Sequence, residues 1–158
     1  IPGLDMNFST RPSKHETFLD IAKTVSAQAT CIRRNVGCVL VNSKNHILAT
    51  GYNGVPAKAV HCLDLPCSGA EFPSGEGLDS CEAIHAEQNA LLQCKDIYDI
   101  EKCYTTVSPC MTCVKLLLNT SCSILIFPTL YTDTEPLELW KKSEREYIIY
   151  ERPIQTRQ

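Results

Sequence analysis

One histidine, one glutamate and two cysteines stand at spacings that suit a metal ion and a proton carrier. His85 and Glu87 are two residues apart, and Cys110 and Cys113 follow Pro109 as a P-C-x-x-C segment. One imidazole and two thiolates give Zn²⁺ three protein ligands, which leaves the fourth tetrahedral position open to water, as in catalytic zinc sites. A nearby carboxylate supplies the proton carrier that hydrolysis needs. The pattern therefore predicts metal-assisted hydrolysis, with Glu87 as the catalytic acid and base.

The segments around these residues alternate between helical and strand-like patterns. A capping box, Ser13-x-x-Glu16, begins an amphipathic helix that ends near Ala29. Short apolar runs then predict a hairpin, and longer periodic segments predict three more helices and three more strands. The predicted hairpin strands cover 36–41 and 46–52, the later helices 84–95, 110–119 and 135–142, and the later strands 102–107, 123–127 and 147–150. This order predicts a three-layer α/β/α domain with a mixed five-stranded sheet.

The predicted metal ligands and the predicted proton carrier lie where two of these helices begin. His85 and Glu87 start one helix, and Cys110 and Cys113 start the other. The positive end of a helix dipole lowers the pKa of a thiol and so favours the thiolate that zinc requires. Cysteines three residues apart share one helix face. We therefore expect the four side chains to meet beyond the ends of the two helices. The alternative is a structural zinc beside a surface glutamate, or thiols that bind no metal.

Composition narrows the class of protein. The chain has 158 residues, of which 44% are hydrophobic and 21% charged, as expected for one globular domain over 1–158. The formal net charge of −3 argues against a protein that binds the backbone of a nucleic acid polymer, although a small anion needs only a local positive cluster. Ten cysteines without a secretion signal favour metal and reduced thiols over disulfides.

The sequence also carries expectations about location. No apolar run approaches the roughly 20 residues of a membrane span, and no signal-peptide pattern precedes the first helix. We therefore expect no membrane partner and a cytoplasmic location, which is the host cytoplasm if a phage encodes the chain. Residues 1–5 precede Met6, and we interpret them as a non-native remnant ahead of the natural start.

Five segments occur in this order: CIRRNVG at 31–37, GYNGVP at 51–56, HCLD at 61–64, HAEQNAL at 85–91 and SPCMTC at 108–113. Together they resemble the deoxycytidylate (dCMP) deaminase family, and in particular its bacterial and phage members. H-x-E followed by P-C-x-x-C is common to zinc-dependent nucleobase deaminases, whereas G-Y-N-G-x-P and a cysteine-bearing insert at 55–81 are narrower features. The resemblance implies hydrolysis of dCMP to dUMP and ammonia, which supplies dUMP for thymidylate synthesis.

The resemblance also implies residues that bind the nucleotide. The positions of Asn53 and Tyr131 contact it, and Arg33, Arg34 and Asn35 lie near its phosphate. The chemistry is suitable, because an amide can pair with a sugar hydroxyl and a guanidinium with a phosphate. Each residue has an alternative interpretation: the arginines as a solvated surface pair, Asn53 as a turn residue, and Tyr131 as part of the core.

A second group of cysteines is implied to hold a structural zinc, as in some family members. This group is Cys31, Cys62, Cys67 and Cys81, with His61 as an alternative ligand. Three of the four cysteines lie in the long irregular stretch at 55–81, and a closed metal site would explain how such a stretch is held in place. The alternative is unligated, buried cysteines.

Regulation and assembly are implied by the resemblance alone. Family members are commonly homohexamers that dCTP activates and dTTP inhibits, with Mg²⁺ accompanying the triphosphate. Asn89 and the loop at 71–77 are candidates for the effector site, and helix capping or packing is the alternative role for Asn89. Competing functions with the same zinc site are a nucleoside or free-base deaminase and an editor of tRNA or single-stranded nucleic acid. A zinc-binding interaction module without enzymatic activity is the remaining alternative.

Overall fold

The computed structural model describes residues 11–30, 34–54 and 84–151. Within these ranges it contains the following elements: α1 (Lys14–Ser26), β1 (Gly37–Val41), β2 (Ile47–Tyr52), α2 (Ala86–Gln93), β3 (Lys102–Thr105), α3 (Met111–Leu118), β4 (Ile124–Phe127), α4 (Glu135–Lys142) and β5 (Glu146–Ile149). The prediction that the first helix runs to about Ala29 is too long, because the N–H of Ala27 turns back to the carbonyls of Thr24 and Val25 and ends α1. None of the helices in these ranges is long and apolar enough to cross a membrane.

The strands form one mixed sheet in the order β2-β1-β3-β4-β5. The hairpin strands β1 and β2 are antiparallel, and β1 also pairs antiparallel with β3. From there β3, β4 and β5 run parallel. Because parallel strands end at the same edge of a sheet, the segments that follow β3 and β4 emerge side by side. Cys110 lies in the segment after β3 and Tyr131 in the segment after β4, so both are at that edge.

Helices cover both faces of the sheet, which confirms the predicted three-layer arrangement. On one face α1 packs Phe18 and Ala22 against Val39, Tyr104 and Ile126. On the other face the buried side chains of α2, α3 and α4 pack against the alternate residues of the same strands, namely Cys38, Leu40, Cys103, Leu125 and Phe127. Successive strand residues point to opposite faces. Strand β1 is therefore buried along its whole length, as expected for a strand with helices on both sides.

Polar side chains tie the ends of the helices to the sheet. The Ser13 hydroxyl accepts the N–H of Glu16 at 3.1 Å, as predicted for the start of α1. The Glu16 carboxylate accepts a hydrogen bond from the Tyr150 hydroxyl at 3.2 Å. At the C-terminal end of α3, the Arg145 guanidinium donates to three carbonyls, those of Leu117, Leu118 and Cys122. A cation there satisfies carbonyls that the helix leaves free and complements its dipole.

Gly51 allows α2 to lie directly on β2, so it controls the position of the helix that follows His85. A Cβ atom at Gly51 would lie 2.3 Å from the Ala86 carbonyl oxygen and 2.5 Å from the Ala90 nitrogen. We expect Gly51→Ala to lower the free energy of unfolding by about 1–3 kcal/mol, because overpacking forces backbone shifts. Urea denaturation checks this change.

Gly54→Ala is the matched control for Gly51→Ala. A Cβ atom at Gly54 would meet nothing closer than the Thr30 Oγ1 atom at 3.4 Å, which is an ordinary contact. We expect its unfolding midpoint to stay near that of the wild type. Equal midpoints for the two variants would contradict the close packing of α2 on β2.

Candidate active site

The ends of two helices bring the predicted metal ligands together. His85 is the residue immediately before α2, and Cys110 occupies the same position before α3. Cys113 lies in the first turn of α3 and is fully buried. The backbone N–H of His85 donates to the Gln88 Oε1 atom at 2.8 Å, which fixes the chain where α2 begins. Each ligand position is thus set by local helix geometry at the edge of the sheet.

The distances from the His85 nitrogen to the two sulfurs suit a tetrahedral metal, and all three donor atoms lie within 4.8 Å of one another. The His85 Nδ1 atom lies 3.3 Å from Cys110 Sγ and 3.4 Å from Cys113 Sγ. In a tetrahedral zinc site with ordinary bond lengths, a nitrogen and a sulfur ligand are roughly 3.6 Å apart. Across the ranges that the structure describes, these residues form the one group of three or more histidine, cysteine or acidic side chains close enough to hold a metal ion. The residues present therefore fit Zn²⁺.

The pKa values of the two thiols are shifted in opposite directions. A hydrogen bond from Cys113, together with one from His85, lowers the pKa of Cys110 to about 4, although burial opposes the shift. The same bond to Cys110, followed by burial, raises the pKa of Cys113. The two shifts therefore favour a thiolate at Cys110 beside a thiol at Cys113. A bound dication supplies the charge that keeps both sulfurs ionised.

Glu87 is a buried carboxyl beside this group. It lies in the first turn of α2 and is only 4% exposed. Burial raises the pKa of Glu87 and the nearby Cys110 adds to the rise, while a hydrogen bond with Cys113 and the charge of His85 oppose it. A carboxyl with a raised pKa can both accept and return a proton near neutral pH. Glu87 thus has the burial and the neighbours that proton transfer at the metal group needs.

Arg34 and Tyr131 form the wall of a cleft at the same edge. The Arg34 guanidinium carbon lies 4.6 Å from the centre of the Tyr131 ring, and the cleft of about 390 Å³ also includes Asn35, Thr106 and Thr132. Arg34 Nη1 and Tyr131 Oη are buried and have no hydrogen-bond partner among the residues described. Buried donors of this kind favour a ligand that accepts hydrogen bonds. A hydrogen bond to Cys110 raises the pKa of His85, and burial and the charge of Arg34 oppose the rise. Val107 also lines the cleft and is three residues before Cys110, so the cleft adjoins the metal group.

Asn53 and Asn89 are both engaged with the backbone. Asn53 is buried; its Oδ1 accepts the Val36 N–H at 2.8 Å, and its Nδ2 donates to the Arg34 carbonyl at 2.9 Å. Asn53 therefore supports the segment that carries Arg34. Asn89 donates to the Tyr52 carbonyl at 2.8 Å and links α2 to β2, which agrees with the packing alternative for this residue.

Other predicted residues lie outside the described ranges, and one contributor was missed. Arg33 and the residues of the second cysteine group, Cys31, His61, Cys62, Cys67 and Cys81, are not among the residues described. Sequence reasoning overlooked Ser108, which is 1% exposed and whose Oγ atom accepts a hydrogen bond from the Tyr131 backbone N–H. The signal was its place two residues before Cys110, which was read only as part of a family motif.

The family to which the chain belongs follows from comparison with known proteins. Residues 12–129 match the family model described as the cytidine and deoxycytidylate deaminase zinc-binding region. The chain belongs to this deaminase family. Its members are described as zinc-binding, and the His85, Cys110 and Cys113 group supports Zn²⁺ as the metal.

Curated relatives and solved structures of the deaminase family agree with this assignment. Deoxycytidylate deaminase of Schizosaccharomyces pombe is 34% identical over 125 residues, which cover 77% of this chain and 38% of that protein. Deoxycytidylate deaminase of Mycobacterium phage D29 is 37% identical over 128 residues, which cover 75% of this chain and 97% of that protein. The chain thus spans well under half of the yeast relative and nearly all of the phage relative.

A solved dCMP deaminase shares the fold. The apo crystal structure of the enzyme from cyanophage S-TIM5 has a TM-score of 0.68 at 24% identity, over 87% of this chain and 97% of that chain. At this level of identity the likeness supports the fold. It agrees with the mixed five-stranded sheet and its helical layers.

Zinc content provides a direct test of the metal group. We expect Cys110→Ser to lose about one equivalent of zinc relative to the wild type, because two protein ligands hold the ion far less tightly than three. Cys94→Ser is the control, since Cys94 caps the far end of α2 and bonds to the Asp96 carbonyl. Metal analysis by mass spectrometry should show wild-type zinc in this control. Unchanged zinc in Cys110→Ser would contradict the assignment of this ligand group.

Proposed function

We propose that this chain is a dCMP deaminase, which hydrolyses dCMP to dUMP and ammonia. The observation that carries the proposal is a buried carboxyl, Glu87, beside a three-ligand metal group that adjoins a cleft with unpartnered buried donors. The family supplies the reaction class, and relatives named deoxycytidylate deaminase support the nucleotide. The cleft supports a substrate that carries an acceptor-rich, anionic group.

The metal group would supply the nucleophile. His85, Cys110 and Cys113 would hold Zn²⁺, which when bound lowers the pKa of water enough for hydroxide to form near neutral pH. Two thiolate ligands balance the charge of the dication. Because Cys113 is fully buried and Cys110 half-buried, these ligands also restrict the access of bulk water to one side of the group.

Glu87 would move the protons. It takes a proton from the attacking water and delivers one to N3 of the cytosine ring, which makes C4 more electrophilic. The same carboxyl then takes the remaining proton of the attacking water, which is now the C4 hydroxyl, and passes it to the amine as the C4–N4 bond breaks, so that ammonia leaves and the C4 carbonyl of dUMP forms. Water and dCMP are thereby converted to dUMP and ammonia with no redox step. The raised pKa of Glu87 suits both transfers, since the best general acid or base has a pKa near the working pH.

Arg34 and Tyr131 would bind the phosphate. A guanidinium forms charge-assisted hydrogen bonds to phosphate oxygens, and the phenol hydroxyl adds another donor. The stacking of Arg34 on Tyr131 holds both groups on one wall of the cleft. Asn35, which lines this cleft, and Arg33 would complete the anion site. Asn53 would hold Arg34 through its carbonyl and offer its remaining hydrogen-bonding capacity to the sugar.

The finer properties of the proposed enzyme come from the sequence, and its regulation, assembly and second zinc come from the resemblance alone. They are a single domain over 1–158 acting in the cytoplasm, supply of dUMP for thymidylate synthesis, activation by dCTP with Mg²⁺, inhibition by dTTP, a homohexameric assembly, and a second zinc held by Cys31, Cys62, Cys67 and Cys81, with His61 as the alternative ligand. If Asn89 contributes to an effector site, it would use its side-chain oxygen and its second N–H, because one N–H is bonded to the Tyr52 carbonyl.

Glu87→Gln tests the proton-transfer role. The amide cannot accept and return a proton, so we expect kcat to fall by about 10²- to 10⁴-fold or more, with zinc content unchanged. Glu135→Gln is the matched control, because Glu135 is also a first-turn glutamate but is exposed at the start of α4. Near-normal turnover by Glu87→Gln would contradict the mechanism.

Substrate preference tests the proposed function itself. Ammonia release is measured with dCMP, deoxycytidine and CMP, each alone and with dCTP or dTTP. We expect dCMP to be preferred, and we expect Arg34→Met to lower kcat/KM for dCMP by roughly ten- to hundredfold, since a charge-assisted hydrogen bond to the phosphate is lost. Arg11→Met, at an exposed arginine before α1, is the control.

Equal turnover of deoxycytidine and dCMP would favour the nucleoside deaminase, and insensitivity to both triphosphates would contradict the regulation.

A further inference from the structure

Ser108 connects the loop that enters the metal group with the segment that carries Tyr131. Its Oγ accepts the Tyr131 N–H at 2.8 Å, and its own N–H donates to the Thr129 carbonyl at 2.9 Å. The side chain is 1% exposed and lies two residues before Cys110. One residue thus joins the chain leaving β3 to the chain leaving β4.

The segment that carries Tyr131 depends on such bonds for its position. Residues 128–134 lie between β4 and α4 and belong to neither element. The Tyr131 ring stacks on the Arg34 guanidinium, and the Arg34 carbonyl is in turn held by Asn53. The two sides of the stacked pair therefore have separate supports, Asn53 for Arg34 and Ser108 for Tyr131. The Tyr131 N–H is partly buried, and a donor away from water that loses its acceptor is costly, so the Tyr131 backbone would move without the hydroxyl.

We propose that Ser108 is a positioning residue that sets Tyr131, and through it Arg34, for binding the anionic group of the substrate; this inference rests on the proposed function. The metal group has supports that Ser108 does not provide. Arg145 holds the far end of α3, and Gln88 holds the entry to α2. Loss of the Ser108 hydroxyl therefore weakens the binding of the phosphomonoester and leaves the proton transfers of Glu87 in place.

Steady-state kinetics with dCMP separate these two effects. We expect Ser108→Ala to raise KM roughly tenfold, the effect of one unsatisfied buried hydrogen-bonding group, while kcat stays within about twofold of the wild type. Because KM equals a dissociation constant only when chemistry is slow, the Kd of dCMP is also measured by calorimetry in the Glu87→Gln background. The Kd should rise by the same factor when Ser108→Ala is added.

Ser121→Ala is the control for loss of a serine hydrogen bond elsewhere. Ser121 donates to the carbonyls of Ile97 and Ile100 and precedes β4, so it lies at the opposite edge of the sheet. We expect its KM for dCMP to match that of the wild type. A raised KM in this control would mean that the effect of Ser108→Ala reports general destabilisation, and the inference would be overturned.

A shape-matched pair isolates the hydroxyl and also serves if Ser108→Ala folds poorly. Ser108→Thr and Ser108→Val have nearly the same shape and differ in one acceptor oxygen. We expect the threonine variant to bind dCMP several-fold more tightly than the valine variant, at equal zinc content. Equal Kd values for the pair, or a fall in kcat with unchanged KM in Ser108→Ala, would overturn the inference. A wild-type protein that does not turn over dCMP would instead contradict the proposed function.

Discussion

The convergence of the N-terminal ends of α2 and α3 on one point is the constraint on which the rest of the site depends. The residues that immediately precede these helices are His85 and Cys110, so the direction of each helix decides where its ligand lies. Both helices lie on the same face of the sheet, and the Gly51 position lets α2 approach β2 closely. The His85 Nδ1 atom comes within 3.4 Å of both sulfurs because the sheet holds both helix ends at one edge.

Burial at this edge gives the charged groups their chemistry. Glu87 is buried next to two sulfurs, and burial makes its carboxyl harder to ionise. Arg34 is a cation, and its buried Nη1 atom has no partner among the described residues. Such a group is costly unless an anion occupies the cleft. The proposed reaction needs both: a carboxyl that exchanges protons at the metal group and a cation that holds the substrate beside it. The two are kept apart by separate supports, α2 for Glu87 and the Asn53 amide for Arg34.

Local patterns explain why so much of the fold could be predicted. Alternating strands and periodic helices depend on neighbours within a few residues, and the mixed five-stranded sheet with helices on both faces is confirmed. Boundaries were less accurate, as at α1, because the last turn depends on bonds that compete with the helix. The contacts of Arg145 were missed because they join residues more than 20 positions apart, which periodicity does not report.

The sequence by itself indicated the metal ligands and the proposed proton carrier, since the types and short spacings of His85, Glu87, Cys110 and Cys113 suit these roles. It also indicated the family, whose model matches residues 12–129. Only the tertiary structure decided what surrounds that group. It placed Arg34 against Tyr131, turned the Asn53 amide to the backbone and joined Ser108 to Tyr131. These contacts arise where strands distant in sequence end side by side, so their geometry exists only in the folded chain.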